Sequence, residues 1–187
     1  MTKTLYYTAT SIDGFIADAD NSLSWLFAVD SGGEGGPPDF AGFFAGVGAM
    51  CLGATTYQWM LDNHGYLDKP DDWRAVYGDT PCWVFTHRSL PVIPGADVRM
   101  VSGEVAPVHE AMTDAAADKN IWILGGGELA GHFADAGLLD ELNLMLAPVT
   151  LGAGAPVLPR RLLSTDLRLV DMTRHGQMAQ LTYELRH

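Results

Sequence analysis

Ile121-Trp122-Ile123-Leu124-Gly125-Gly126-Gly127-Glu128-Leu129 is the stretch whose reading decides the fold. Its first four residues, apolar and rich in β-branched and aromatic types, predict a strand buried on both faces. Three glycines stop it, and over residues 128–136 the apolar positions return at helical spacing. A strand that feeds a helix through glycines leaves backbone N–H groups free at the helix N-terminus, where they can hold an anion. Two readings stand at this point. Either a phosphate of a nucleotide sits on those N–H groups, or the glycines make a tight bend that binds nothing.

The same pattern recurs upstream. Residues 49–53 read as a buried strand ended by Gly53, after which Thr55-Thr56-Tyr57 opens a helix through Trp59, Met60 and Leu61. Residues 82–86 read as a third buried strand, ending in His87-Arg88-Ser89. In an open α/β sheet, ligands lie outside the carboxyl ends of the strands, so three such ends with phosphate-compatible groups say more than any one. Thr55 and Thr56 suit a helix cap as well as a phosphate. Thr86, His87 and Arg88 suit a further phosphate or an adenine, and Arg88 equally suits an ordinary solvated surface.

Further strands are predicted over residues 5–10, 15–17 and 98–101, and a helix over 107–118. Pro37-Pro38-Asp39 opens a short helix with Phe40, Phe43, Phe44 and Val47 on one face. Residues 66–78 read as irregular and acidic. Residues 141–150 alternate, with Leu142, Leu144 and Leu146 on one side, and residues 167–174 and 177–185 flank His175-Gly176 as a hairpin. Strands alternate with helices first, and an antiparallel pair closes the sheet. The expected fold is a three-layer α/β/α sandwich, one domain over residues 1–187, with a mostly parallel sheet and a C-terminal antiparallel hairpin. Residues 31–38, rich in glycine and proline, predict a mobile loop beside a site.

Composition narrows the function. With 48% hydrophobic and 18% charged residues the chain of 187 residues builds a real core. A net charge of −12 argues against nucleic acid or an anionic membrane as partner, so an anionic ligand must be held by a local device. Cys51 and Cys82 lie in apolar runs and read as small core residues, which suits a reducing compartment. Met1-Thr2-Lys3-Thr4 enters a strand at once, with no charged-then-apolar leader, and no apolar run reaches the length of a membrane span. A cytoplasmic protein is expected. The six His residues are scattered, with no metal-binding spacing, so no metal is expected. Gly125, Gly127 and Ala130 formally match G-x-G-x-x-A, yet no acidic residue ends a second strand about 20 residues on, as ribose recognition in a Rossmann domain requires.

Taken together, Ser11-Ile12-Asp13-Gly14-Phe15-Ile16, Leu52-Gly53-Ala54-Thr55-Thr56-Tyr57, Val84-Phe85-Thr86-His87-Arg88 and Ile123-Leu124-Gly125-Gly126-Gly127-Glu128-Leu129 resemble the dihydrofolate reductase-like family. The nearer resemblance is to its branch that includes the C-terminal reductase domain of bacterial riboflavin biosynthesis enzymes. Asp140-Glu141-Leu142 and Pro148-Val149-Thr150-Leu151-Gly152-Ala153-Gly154 are similar to that branch as well. The resemblance implies NADPH as hydride donor and a homodimer. By position it places Ala9 and Ile16 at the nicotinamide, and Gly53, Ala54, Thr55 and Thr56 at the central phosphates. It places Thr86, His87 and Arg88 around the adenosine and its 2′-phosphate. Gly125, Gly126, Gly127, Glu128 and Leu129 would close over the pyrophosphate through backbone N–H groups.

Two positions depart from the family pattern. Ala54 stands where the family usually carries Arg, which removes one charge-assisted phosphate contact, on the order of 1.5–3 kcal/mol unless another group replaces it. Glu128 puts a negative charge beside the phosphate site, where it favours the helix N-terminus or, turned inward, repels phosphate. Asp39 is the candidate acid: a carboxylate half buried beside Phe40, Phe43 and Phe44 would hold its proton more tightly. The competing reading makes Asp39 a helix cap. Asp13, Trp25 and Gln58 are the further residues expected to face a substrate. Two functions follow: an NADPH-dependent reductase of a small heterocycle (pterin or flavin-precursor-like) or carbonyl compound, or a nucleotide-binding regulatory protein with the reductase fold and little turnover.

Overall fold

A computed structural model describes residues 2–30, 35–36 and 38–186. Most of the glycine- and proline-rich stretch expected to form a mobile loop (residues 31–34 and 37) lies outside the described residues.

The chain runs β1 (Thr4–Thr10), β2 (Phe15–Ala17), α1 (Ser24–Phe27), α2 (Phe40–Ala45), β3 (Val47–Gly53), α3 (Ala54–His64), α4 (Pro70–Tyr77), β4 (Cys82–Phe85) and β5 (Val98–Val101). It continues through α5 (Val105–Ala116), β6 (Asn120–Gly125), α6 (Gly127–Asp135), β7 (Glu141–Leu146), β8 (Ala155–Pro156), β9 (Leu167–His175) and β10 (Met178–Leu185). Eight strands make the main sheet in the order β5-β4-β3-β6-β1-β7-β10-β9, and β2 pairs with β8 in a small separate sheet. From β5 to β7 every neighbour is parallel. β10 is antiparallel to β7, and β9 antiparallel to β10. This is the expected sandwich, with the hairpin closing one side.

The period-two alternation of each buried strand divides its side chains between two helical layers. Ile121 and Ile123 of β6 join Tyr6, Cys51 and Leu142 under Met112 of α5 and Phe133 of α6. Trp122, between them in sequence, packs on the opposite face with Met50, Leu52 and Val84 under Tyr57 and Met60 of α3 and Trp73 of α4. Cys51 and Cys82 are both buried and free, as small core residues should be, and burial raises both thiols well above their ordinary range. Gly48 lets α5 come close: a Cβ there would stand 2.6 Å from the Ala116 carbonyl oxygen.

Two local expectations need correction. Residues 66–78 are not irregular throughout but contain α4, with Pro70 in its first turn and Asp71 and Asp72 favouring its positive end. Its core signal is one pair four residues apart, Trp73 and Tyr77, whose ring centroids are 4.5 Å apart. The density of acidic residues hides that pair. Val47 belongs to β3 and not to the face of α2, because α2 ends at Ala45. The two-residue β8 is too short to carry any periodic signal. Among the described residues no helix is long and apolar enough to cross a membrane.

Candidate functional site

Parallel strands put their carboxyl ends on one rim, and there the two glycine-ended strands lie side by side, since β3 pairs with β6. Each feeds a helix whose N-cap is a glycine, Gly53 for α3 and Gly126 for α6, and neither N-cap offers a side chain to the first turn. The two helix starts are adjacent: a Cβ on Gly126 would lie 3.8 Å from the Gly53 nitrogen. Each helix brings roughly half a positive elementary charge to its N-terminus, together with backbone N–H groups that have no intrahelical acceptor. Two such termini on one rim offer an anion backbone donors and positive potential, against which Glu128 in the first turn of α6 sets a negative charge.

The three glycines serve different ends. Gly126 holds φ +102°, a conformation that side chains of L residues rarely adopt. Gly125 and Gly127 are needed for close approach. A Cβ on Gly125 would stand 2.8 Å from the Thr56 hydroxyl oxygen, and one on Gly127 would stand 2.1 Å from the carbonyl oxygen of Pro156 in β8. The glycine turn is thus wedged between the first turn of α3 and the small β2–β8 sheet.

A cavity of about 400 Å³ opens at this junction, lined among others by Ile16, Thr55, Thr56, Trp59, His64, Gly125, Gly126, Gly127 and Glu128. Thr8 and Leu124 line it too, and both also line a second cavity of about 320 Å³ walled by Tyr7, Ala9, Leu26, Pro38, Phe40, Trp122, Met145 and Met178. The structure therefore brings together Ile16, Thr55, Thr56, Gly125, Gly126, Gly127 and Glu128 in one space, with Gly53 and Ala54 at the start of the helix that bounds it. Ala9 stands across the shared wall.

Leu129 is placed differently: its side chain is buried in the core with Phe133, leaving only its backbone N–H for the site. Thr86, His87 and Arg88 line neither cavity. They follow β4, on the far side of β3, and the Thr86 hydroxyl accepts from the Arg88 N–H at 2.8 Å in a tight turn. His87 and Arg88 are exposed.

Glu128 does not point its charge at the site unopposed. Its Oε2 accepts from Arg160 Nη1 at 3.0 Å, and Arg160 Nε donates to Asp135 at 2.7 Å, one helical turn-pair further along α6. Gly131 makes room, since a Cβ there would lie 2.6 Å from the Arg160 guanidinium carbon. Arg160 is the residue that reading the sequence missed. It stands 32 positions from Glu128 in a proline-flanked loop, and no local spacing marks it.

Two expected substrate residues are engaged elsewhere. The Asp13 carboxylate accepts from the Ser11 hydroxyl at 2.6 Å and from the Leu151 and Gly152 N–H groups at 3.1 and 2.7 Å, clamping two loops together. Those bonds, the Ser11 one foremost, hold its pKa down to about 2. Gln58 donates to Asp62 at 2.9 Å on the surface of α3, and the next residue, Trp59, is the one that faces the cavity. Trp25 packs with Met145, Ala147 and Met178, and its buried indole N–H has no partner among the described residues.

Asp39 is exposed, not half buried. Its Oδ1 accepts from the Gly42 N–H at 2.8 Å as the N-cap of α2, between two residues, Pro38 and Phe40, that line the second cavity. Among the described residues no group of three or more His, Cys, Asp or Glu side chains could hold a metal ion.

The strand order and the closing hairpin define a dihydrofolate reductase-like fold. Dihydrofolate reductase from Enterococcus faecalis, solved in complex with NADP(H), superposes with a TM-score of 0.60 at 15% identity, over 99% of this chain and 97% of that one. A putative riboflavin biosynthesis protein from Shewanella sp. PV-4 superposes with a TM-score of 0.79 at 23% identity, over 100% of both chains. The chain belongs to the RibD C-terminal domain family, a reductase-like family whose model matches residues 60–181. It is also 34% identical over 181 residues, 97% of each chain, to the uncharacterized protein YwjB of Bacillus subtilis (strain 168).

Proposed function

We propose that this chain is an NADPH-dependent reductase that delivers hydride to a small acceptor in the second cavity. The observation that carries the reading is the meeting of two uncapped helix N-termini, those of α3 and α6, on a cavity that shares a wall with an apolar one. The residues fit the group. A dinucleotide pyrophosphate needs N–H donors and positive potential, and Gly53, Gly126 and the first turns behind them supply both. The Thr55 and Thr56 hydroxyls add donors on the same wall. When bound, the cofactor supplies a hydride from its nicotinamide ring.

The chain's part is to bind and orient. Thr8 and Leu124, common to both cavities, mark the end of the first nearest the second, so the nicotinamide belongs there and the adenosine extends over the α3 start toward Thr86, His87 and Arg88. Arg88, exposed at that end, is the group for a 2′-phosphate. Arg160 holds the Glu128 charge away from the phosphates. Asp39, exposed to solvent between the cavity-wall residues Pro38 and Phe40, is the candidate acid.

Titration with NADPH and NADH, read by intrinsic fluorescence, tests the reading. NADPH should quench the fluorescence saturably and more tightly than NADH, because Trp59 lines the cavity. No quenching by either, up to millimolar cofactor, contradicts it. Saturable binding without oxidation of NADPH by pterins, flavin precursors or reactive carbonyls would instead favour a nucleotide-binding regulator. That alternative draws support from Ala54 and from the cap role that already occupies the Asp39 carboxylate.

We also infer a homodimer built through β9. It is one of the two edge strands of the main sheet, and Leu169, Val170 and Met172 are 52%, 40% and 70% exposed. An edge strand with that much apolar surface invites covering. A monomeric mass by light scattering would overturn this inference.

A further inference from the structure

The second cavity carries more than a general place for an acceptor. Its wall combines three aromatic rings from distant parts of the chain, Tyr7, Phe40 and Trp122, with the flexible side chains Met145 and Met178. Phe40 stands edge-on to Trp122 with centroids 5.8 Å apart. Trp122 is fixed in turn by its indole N–H, which donates to the Tyr7 carbonyl at 3.1 Å. Rings held in this way offer flat apolar surface to another ring, and methionines adapt to its outline. The volume of about 320 Å³ sits at the small end of the roughly 300–1,000 Å³ found for ligand pockets, which fits one or two fused rings.

What the wall lacks decides the ligand's charge. No Lys, Arg or His is among the described residues that line this cavity. The acid next to it, Asp39, is of the wrong sign for an anion, and the chain as a whole carries −12. A phosphate brought here would lose its hydration with no cation to replace it. The polar side chains on this wall, Tyr7 and Thr8, are uncharged.

We propose that the second cavity binds an uncharged, planar, conjugated ring compound and excludes its phosphate esters. The ligand's ring packs against the edge-to-face pair of Phe40 and Trp122. This rests on the reductase reading only for what the ligand is used for, since the binding itself needs no cofactor.

The test uses a matched pair, 1-naphthol and 1-naphthyl phosphate, titrated calorimetrically into the full chain, with NADPH titrated in parallel. 1-Naphthol should bind, and its phosphate ester should bind at least roughly tenfold more weakly. Phe40→Ala, on the partly exposed face of the short helix α2, should weaken 1-naphthol roughly tenfold, and Ala9→Met, which fills the cavity, should do the same. The proposal is overturned if 1-naphthyl phosphate binds as tightly as 1-naphthol, if 1-naphthol fails to bind at millimolar concentration, or if neither variant alters its affinity. Loss of NADPH binding with the naphthol pattern intact would sink the reductase reading and leave this site standing.

Discussion

The two cavities share Thr8 and Leu124 but are built by opposite means. The first is a backbone site: glycines, helix starts and two threonines form its working wall, and its attraction for anions comes from N–H groups fixed by the fold. The second is a side-chain site, made of rings and thioethers that five separate elements contribute, with no charge on its described wall. On the proposed reading, one recognises a phosphate chain and the other recognises shape and neutrality. A backbone site should tolerate loss of a side chain but not an added Cβ. A side-chain site behaves the other way round.

That contrast breaks first at Gly127. A methyl group there meets the Pro156 carbonyl at 2.1 Å, backbone against backbone, so Gly127→Ala should cost about 3 kcal/mol and lower Tm by roughly 6–12 °C. Thermal unfolding checks it, and an unchanged Tm would mean that α6 and β8 are not wedged as described. Arg88→Ala should come next. If the exposed guanidinium holds the 2′-phosphate, the preference for NADPH over NADH falls roughly ten- to hundredfold, while NADH affinity stays level. Equal loss for both cofactors would move Arg88 off the 2′-phosphate.

A smaller effect is expected of Arg160→Met. It leaves Glu128 unopposed at the rim of the anion site, and NADPH affinity should drop roughly fivefold, more at low salt than at high. Asp39 needs two variants. Asn caps a helix as well as Asp does, so Asp39→Asn should leave Tm unchanged, whereas Asp39→Ala should cost about 1 kcal/mol. If Asp39 is the proton donor, turnover falls in both variants with NADPH affinity preserved; if only stability moves, it is a cap and nothing more.

Asp13 gives the smallest effect and the only one set by pH. Its folded pKa of about 2 lies below the ordinary 3.8, so the clamp on Leu151 and Gly152 is at full strength above that ordinary value. It is lost as pH falls through about 2. The difference in Tm between the native chain and Asp13→Asn should therefore be largest near neutrality and shrink steadily below pH 4.

The same contrast explains what could be read from the sequence. Backbone sites announce themselves, because the glycines and threonines that make them are neighbours in the chain: Gly125 to Gly127 and Gly53 to Thr56 were legible as strand ends feeding helices. The alternation of apolar runs carried the sheet, down to the hairpin at His175-Gly176. Side-chain sites are silent. Phe40 and Trp122 read as core residues of a helix and a strand, and only the register of β6 against β1 and the placement of α2 bring them to one wall with Tyr7 and Met178. Arg160 was silent for the same reason, since its partners Glu128 and Asp135 lie across a fold-made gap. Asp13 and Gln58 carry side chains suited to a substrate, but local hydrogen bonds, which spacing does not reveal, claim both.

Hydrogen exchange resolved to single amides, with and without NADPH, tests the central claim most directly. If the two helix starts hold the pyrophosphate, the N–H groups of Ala54 to Thr56 and of Gly127 to Leu129 should slow together on addition of NADPH, and the amides of β9 and β10 should not change. Protection confined to other segments, or binding of NADPH with no slowing at either helix start, would contradict the account.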